Sequence, residues 1–456
     1  MAPLPKNVVI AAGTYDGVLA GWERKEEKPN LSLTFATAVH GGSVRSLSIA
    51  SSPQGDQAGS LLSCSYDETL RTHDWHKRLT SSGEVRTPSD FGTPTCSSFA
   101  PPTGNPTHCI LGFSNGKVAI YKKRDWSVQH VLAGHDGGVE SLSVHPTGKL
   151  ALSGGSSDGK LKLWDLTKGR LSFVNKITPS STANGRTKYD PVTSIVWSTG
   201  GEFYAFSYGP HITVRDVSSG KDLLDINLPS RVNEITLLAG PDGLFVAAAC
   251  NDGSLPVLAV EDTDEDSRRA IMAIEPVDSL IAREERFKCI SRVHGYHVVT
   301  ANSAGVVSLM NLEGAIKMIM SDESDDERES GEGEANAESG DESDSDDDAE
   351  MELAVDIIES TQLGTGARIT CLTAWASNDL LQAVEEEIDE APSEEEIEEE
   401  IEEPKKKGKY IDNNKRKREE DSGIDLDEAA LEKARSLVSK AKKLKKKKDK
   451  KKSKKA

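Results

Sequence analysis

A short pattern recurs through the first 320 residues: an apolar run rich in small residues, a tight turn at Asp, Asn or Gly, then a stretch of alternating apolar and polar positions. The clearest copy is LALSGGSSDGKLKLWD (Leu150–Asp165). Weaker copies are AAGTYDGVLAGW (Ala11–Trp22), LLSCSYDETLRTHDW (Leu61–Trp75), ILGFSNGKVAIY (Ile110–Tyr121), FYAFSYGPHITVRD (Phe203–Asp216), FVAAACNDGSLPVLAV (Phe245–Val260) and VVTANSAGVVSLMNL (Val298–Leu312). A period of two puts successive side chains on opposite faces, so each run reads as a strand with one buried face. Two such strands across a tight turn make a hairpin. The seven turns fall near Asp16, Asp67, Asn115, Asp158, Gly209, Asp252 and Ala304, at intervals of 51, 48, 43, 51, 43 and 52 residues.

A further apolar strand precedes most hairpins, at Val139–Val144, Val192–Trp197, Val232–Leu238 and Phe287–Val293. No long helical stretch separates the strands, which argues against a βαβ architecture. The spacing brackets the roughly 40–45 residues per blade of WD repeats. The expected fold class is all-β: a seven-bladed WD-repeat β-propeller, with the preceding strands lining its channel. The chain starts on a hairpin with no inner strand before it, whereas ARITCLTAW (Ala367–Trp375) reads as an inner strand with no hairpin. Placing that strand inside the first hairpin closes the ring from both chain ends and removes the free edges. Glu352–Glu359 then becomes the outer strand of the last blade.

Charge divides the chain further. The net charge of the 456 residues is −20, but it is concentrated in segments. Residues 1–320 form the propeller blades, 321–350 an acidic insert, 351–377 the closing strands, 378–404 an acidic linker and 405–456 a basic tail. Ser321–Glu350 holds sixteen Asp/Glu against Arg328, Glu385–Glu403 thirteen acids and no base, and Lys405–Ala456 twenty-two Lys/Arg against nine acids. The ring itself is left close to neutral, so the acidic balance describes the appendages. The insert has too little apolar surface to fold and is expected to be disordered. Ser324, Ser343 and Ser345, each followed by acids, are candidate phosphorylation sites that would deepen its charge.

The tail carries three basic clusters: Lys405, Lys406 and Lys407; Lys415, Arg416, Lys417 and Arg418; and a terminal run that includes Lys445, Lys446, Lys447 and Lys448. Such clusters suit nuclear import or contact with nucleic-acid phosphates. Almost no aromatics interleave with them, which argues against base-specific readout. Asp425–Leu444 would form a short helix, with acids at its start and lysines at its end.

One repeat carries a complete polar signature. His135, Ser153, Asp158 and Trp164 occupy the positions that form a buried hydrogen-bond chain in WD repeats, where each polar group satisfies the next. The second hairpin has His40, Ser63 and Asp67, with His73 where Trp is expected; other blades place Tyr121, Arg215 or Met310 there. Most blades are degenerate and should rely on apolar packing. The tetrad resembles a Ser-His-Asp triad, but a triad needs an exposed nucleophile beside an oxyanion hole. LSGGSSDG (Leu152–Gly159) lacks the lysine and following helix of a phosphate loop, and the ten histidines show no metal-binding spacing. No catalytic, cofactor or metal site is expected. Six cysteines without a CxxC pair read as buried free thiols in a reducing compartment. No leader pattern opens the chain and no stretch reaches about 18 apolar residues, so a soluble intracellular protein is expected.

The stretch GHDGGVESLSVHPTGKLALSGGSSDGKLKLWDLTKGRLSFVNKI (Gly134–Ile177), above all HPTGKLALS and LWDLTKGRLSF, resembles the ribosome-biogenesis WD-repeat family whose animal members are called PAK-interacting protein. The lysine-rich tail fits that family; the long acidic insert and acidic run depart from it. The resemblance implies a non-catalytic scaffold in nuclear, chiefly nucleolar, assembly of the large ribosomal subunit and rRNA processing. Its partners would be pre-ribosomal proteins, with non-specific rRNA contact through the tail, and the chain would act as a monomer within a larger assembly, with no membrane partner. An alternative from the same resemblance is a regulator that binds and inhibits a p21-activated-type protein kinase. The acidic segments support a third reading, a histone-chaperone-like binder.

Overall fold

The computed structural model describes residues 4–376 apart from residues 6, 26–27, 52–58, 75–79, 104, 184–185, 261–269, 276–284, 322–354 and 365. Seven four-stranded antiparallel sheets form its blades. Their innermost strands are Ile369–Ala376, Val44–Ser51, Pro94–Ala100, Val139–Val144, Val192–Trp197, Val232–Gly240 and Phe287–His294, for blades 1 to 7 in that order. Each inner strand lies beside the next, and the last returns to the first, so the sheets close into a ring. The strand predictions at Val139–Val144 and Val192–Trp197 match to the residue, and those at Val232 and Phe287 start correctly and end one or two residues early.

Blade 1 is built from both parts of the chain. Ile369–Ala376 pairs with Val8–Thr14 in antiparallel register, Val8 opposite Ala376 and Gly13 opposite Cys371, with a bulge between Gly13 and Thr14. Gly13 is required here: a Cβ would lie 2.6 Å from Val44 of blade 2 and 2.8 Å from the Cys371 sulfur. Gly112 and Gly154 meet Val139 and Val192 of the following blades in the same way. Small residues on the second strand therefore let each blade seat against the first valine of its neighbour's inner strand.

Two elements differ from the sequence reading. The outer strand of blade 7 is Asp356–Gln362, displaced toward the C-terminus from Glu352–Glu359. Its register sets Gln362 opposite Val306 and Asp356 opposite Asn311. Pairing with the preceding strand fixes these ends, and the alternation of this acidic stretch is too weak to mark them. A nine-residue helix, Glu313–Ser321, precedes it and buries Ala315, Ile316 and Ile319 against the apolar side of blades 6 and 7. A small two-stranded hairpin, Ser181–Ala183 with Arg186–Lys188, also projects between blades 4 and 5.

Apolar side chains fill the spaces between blades rather than one central core, because each sheet buries both faces against its neighbours. Blade 5 shows how a blade without the polar tetrad is held. Tyr204, Phe206 and Tyr208 share one face of Phe203–Tyr208, and their rings continue a stack from His145 and Trp197 to His211 with centroid separations of 4.8–6.2 Å. Such ring pairs contribute about 0.5–1.5 kcal/mol each beyond their area burial.

Candidate functional site

In blade 4 the turn between the second and third strands presents Asp158, the second strand presents Ser153, the third presents Trp164 one residue before its end, and His135 precedes the inner strand. Trp164 Nε1 donates to Ser153 Oγ at 2.7 Å, Ser153 Oγ lies 2.8 Å from His135 Nε2, and His135 Nδ1 lies 2.9 Å from Asp158 Oδ2. Indole can only donate. The direction of the chain follows: Trp164 to Ser153, the serine hydroxyl to His135 Nε2, and His135 Nδ1–H to the carboxylate. Burial alone would raise the Asp158 carboxyl, but the bond from His135 and the amides of Asp136 and Lys160 outweigh it and hold the group below its ordinary range. Gly134 makes room for the indole, since a Cβ there would lie 2.4 Å from the ring.

Ser153 is fully buried and its oxygen is already engaged on both sides. The arrangement is a tie across three strands and a turn, with no path for a substrate to the hydroxyl.

Blade 2 repeats the tie with a different terminus. His40 Nδ1 lies 3.1 Å from Asp67 Oδ2, His40 Nε2 lies 2.7 Å from Ser63 Oγ, and Ser63 Oγ lies 3.1 Å from His73 Nε2. Blade 2 thus keeps the tie, with His73 in the donor role of Trp. The substitution leaves His73 Nδ1 buried with no hydrogen-bond partner. Burial, with the charges of His40 and Arg71 adding to it, pushes His73 down to about 4. His40 is also lowered by burial, against the opposing pull of Asp67.

At the same register blade 1 also places a buried Trp, Trp22, while blades 3, 5 and 7 diverge. Tyr121 is buried with its hydroxyl unpartnered, Arg215 forms a two-pronged pair with Asp222 at 2.5 and 2.8 Å, and Met310 accepts from the Thr300 hydroxyl at 3.8 Å.

Sequence reasoning missed Glu234, on the inner strand of blade 6. Its Oε2 accepts the Ile290 amide of blade 7 at 3.0 Å, a link between adjacent inner strands. Ser46 and Ser194, at matching positions of blades 2 and 5, accept the amides of Ser97 and Ile235 in the same way. Burial raises Glu234 to about 7. All six cysteines are free, five of them fully buried, and burial pushes Cys96 and Cys371 up to about 12. Among the described residues no group of three or more His, Cys, Asp or Glu is placed to hold a metal ion, and no helix is long and apolar enough to cross a membrane. The basic clusters of the tail and Ser324, Ser343 and Ser345 lie outside the described residues.

Seven blades closed by a strand from the distal part of the chain, with a His–Ser–Asp–Trp tie in blade 4 and a variant of it in blade 2, define a WD-repeat β-propeller. Residues 126–165 match the family described as WD domain, G-beta repeat. Over 374 residues the chain is 25% identical to a p21-activated protein kinase-interacting protein 1-like of Xenopus laevis, covering 82% of this chain and 83% of that protein. It is 30% identical over 174 residues to Shk1 kinase-binding protein 15 of Schizosaccharomyces pombe, covering 38% and 47% of the two chains. It is 22% identical over 280 residues to Protein MAK11 of Saccharomyces cerevisiae, covering 55% and 64%. The chain is a WD-repeat β-propeller, similar in sequence to a p21-activated protein kinase-interacting protein 1-like.

Proposed function

We infer that the chain is a binding scaffold, a reading that its fold and the names of its relatives support. We propose that this scaffold serves nucleolar assembly of the large ribosomal subunit, binding pre-ribosomal proteins through the propeller and pre-ribosomal RNA through the tail. The observation that carries the reading is the division of labour along the chain. The polar constellations of the described ring tie strands together, while Lys405–Ala456 holds twenty-two Lys/Arg against nine acids. The tail's clusters supply nuclear entry and phosphate attraction, and the acidic runs 321–350 and 385–403 compete with RNA for the same lysines. That competition needs direct contact, because exposed charges more than about 8 Å apart are largely screened at physiological salt.

Affinity purification of the intact chain and of a chain ending at residue 404 tests this. The intact chain is expected in the nucleolus with large-subunit precursors, and the shortened chain to lose nuclear accumulation and most RNA. Recovery without ribosomal proteins or rRNA would refute it. A second reading rests on the names of two relatives, which describe kinase interaction and kinase binding. On that reading the same purification returns a p21-activated-type kinase whose activity falls when the chain is added.

A further inference from the structure

One backbone hydrogen bond recurs around the ring and aligns its blades. In six of the seven blades the residue just before the inner strand accepts, through its carbonyl, an amide from the turn between the second and third strands of the same blade. The donor–acceptor pairs are Tyr66 to Ser43, Ser114 to Thr93, Ser156 to Gly138, Asn251 to Arg231, Ser303 to Arg286 and Tyr15 to Arg368, for blades 2, 3, 4, 6, 7 and 1. These residues occupy equivalent places at one mouth of the channel. Their chemistry is not equivalent: blades 6, 7 and 1 carry Arg231, Arg286 and Arg368, while blades 2, 3 and 4 carry Ser43, Thr93 and Gly138.

All three arginines are exposed, and none is ion-paired among the described residues. Lys288, two residues beyond Arg286, joins them. Burial, and after it the nearby charges of Arg286 and Arg231, lower its affinity for a proton. On the turn side of the same bonds stand Tyr15 and Tyr66, 60% and 53% exposed, on the adjacent blades 1 and 2. The Arg45 guanidinium lies 5.1 Å from the centre of the Tyr66 ring. Asp16, Glu68 and Glu285 share this rim, and none pairs with the three arginines.

An arc of arginines continued by exposed aromatic rings is the chemistry that holds single-stranded nucleic acid: guanidinium groups take phosphates, and rings stack on unpaired bases. An acidic peptide would use the arginines but gain little from two exposed rings. We propose that this crescent, from Arg231 through Arg286, Lys288 and Arg368 to Tyr15 and Tyr66, binds single-stranded RNA. The contact is separate from the tail and reads unpaired bases by stacking. It deepens the ribosomal reading, on which only the identity of the RNA rests.

The test uses the full chain and a fluorescein-labelled twelve-nucleotide oligouridylate, so the tail is present throughout. Replacing the three arginines together (R231Q, R286Q and R368Q) should weaken binding at least about ten-fold at 0.15 M salt and reduce the log–log salt slope by about 2, at about 0.7 per lost phosphate contact. Tyr15→Ala and Tyr66→Ala should each cost about ten-fold and leave the salt slope unchanged. The side chains are exposed, so melting temperatures should hold; Arg286→Gln alone serves if the triple variant unfolds. Ultraviolet cross-linking to 4-thiouridine RNA should map to Tyr15 or Tyr66. Unchanged affinity in the variants with no cross-link on either tyrosine overturns the proposal. So does displacement of the RNA by a polyglutamate peptide with no effect of the tyrosine changes, which would assign the crescent to an acidic protein. Oligonucleotide binding that fails in the variants, in a chain that purifies without pre-ribosomes, would sustain the RNA site and refute the ribosomal reading alone.

Discussion

His73→Gln gives the most direct access to the tie in blade 2. The histidine is 1% exposed, donates from Nε2 toward Ser63 and is held near 4, against 6.5 for a free imidazole. Because its folded value is depressed, the unfolded chain binds the extra proton. The stability this group contributes is complete above about pH 6.5 and is lost as pH falls toward about 4. A difference of about 2.5 units corresponds to about 3 kcal/mol in full, and about 2 kcal/mol of it is expressed between pH 7 and pH 5. Glutamine can donate to Ser63 Oγ through its amide and does not titrate. Wild type should therefore lose about 2 kcal/mol more than His73→Gln over that interval. With a urea dependence of about 3 kcal/mol per molar, the gap is about 0.7 M in the unfolding midpoint. Urea titrations of both proteins at pH 7 and pH 5 measure it, with His40 and His297, both also lowered by burial, common to the two. Parallel losses in the two proteins would show that His73 is not held neutral by the fold, and the tie would need another donor.

Trp164→Ala removes a 2%-exposed indole and the donor to Ser153, so a loss of about 3–5 kcal/mol is expected in chemical denaturation; weakened partner binding at unchanged stability would assign the residue to a surface instead. Removing residues 367–376 leaves the Val8–Thr14 strand without its partner, and size-exclusion chromatography should show aggregates; a monomer with unaltered melting would contradict the closure. Glu234 has the opposite sign to His73: its folded value of about 7 exceeds the ordinary 4.5, so its ionisation costs stability as pH rises between those values. Glu234→Gln should therefore gain stability between pH 5 and pH 8, by no more than about 3 kcal/mol because the channel side of this half-buried group meets water. A variant whose advantage does not grow with pH would refute the assignment.

The ring was legible because its signals are local. Two-residue alternation, Gly and Asp at turns and a recurring interval are carried by adjacent residues, and the closing strand stood out because Ala367–Trp375 lacked a hairpin of its own. The ties were legible only where residue identity matched, as at His135, Ser153, Asp158 and Trp164. His73 escaped because a histidine and a tryptophan share a donor but not a shape, and only the register opposite Leu61 shows that they stand in one place. The stack in FYAFSY continues onto a loop of blade 4, so its far member, His145, lies 58 residues before Phe203. The arginine crescent is harder still. Its members are separated by 55 and 82 residues, and insertions of unequal length hide their equivalence until the backbone bonds align them.

The pairing of Val8–Thr14 with Ile369–Ala376 also sets a clock on synthesis. The Val8–Thr14 strand leaves the ribosome well ahead of its partner, which begins 361 residues behind Val8, at Ile369. At about 5–20 residues per second, that interval is roughly 20–70 s. During it, six blades can assemble in order while blade 1 presents an unpaired strand edge and the last interblade surface stays uncovered. A nascent chain of this design spends most of its translation as an open arc. Factors that shield β-edges, or a pause placed just after the codon for Ala376, would therefore act on its yield more strongly than any change within a finished blade.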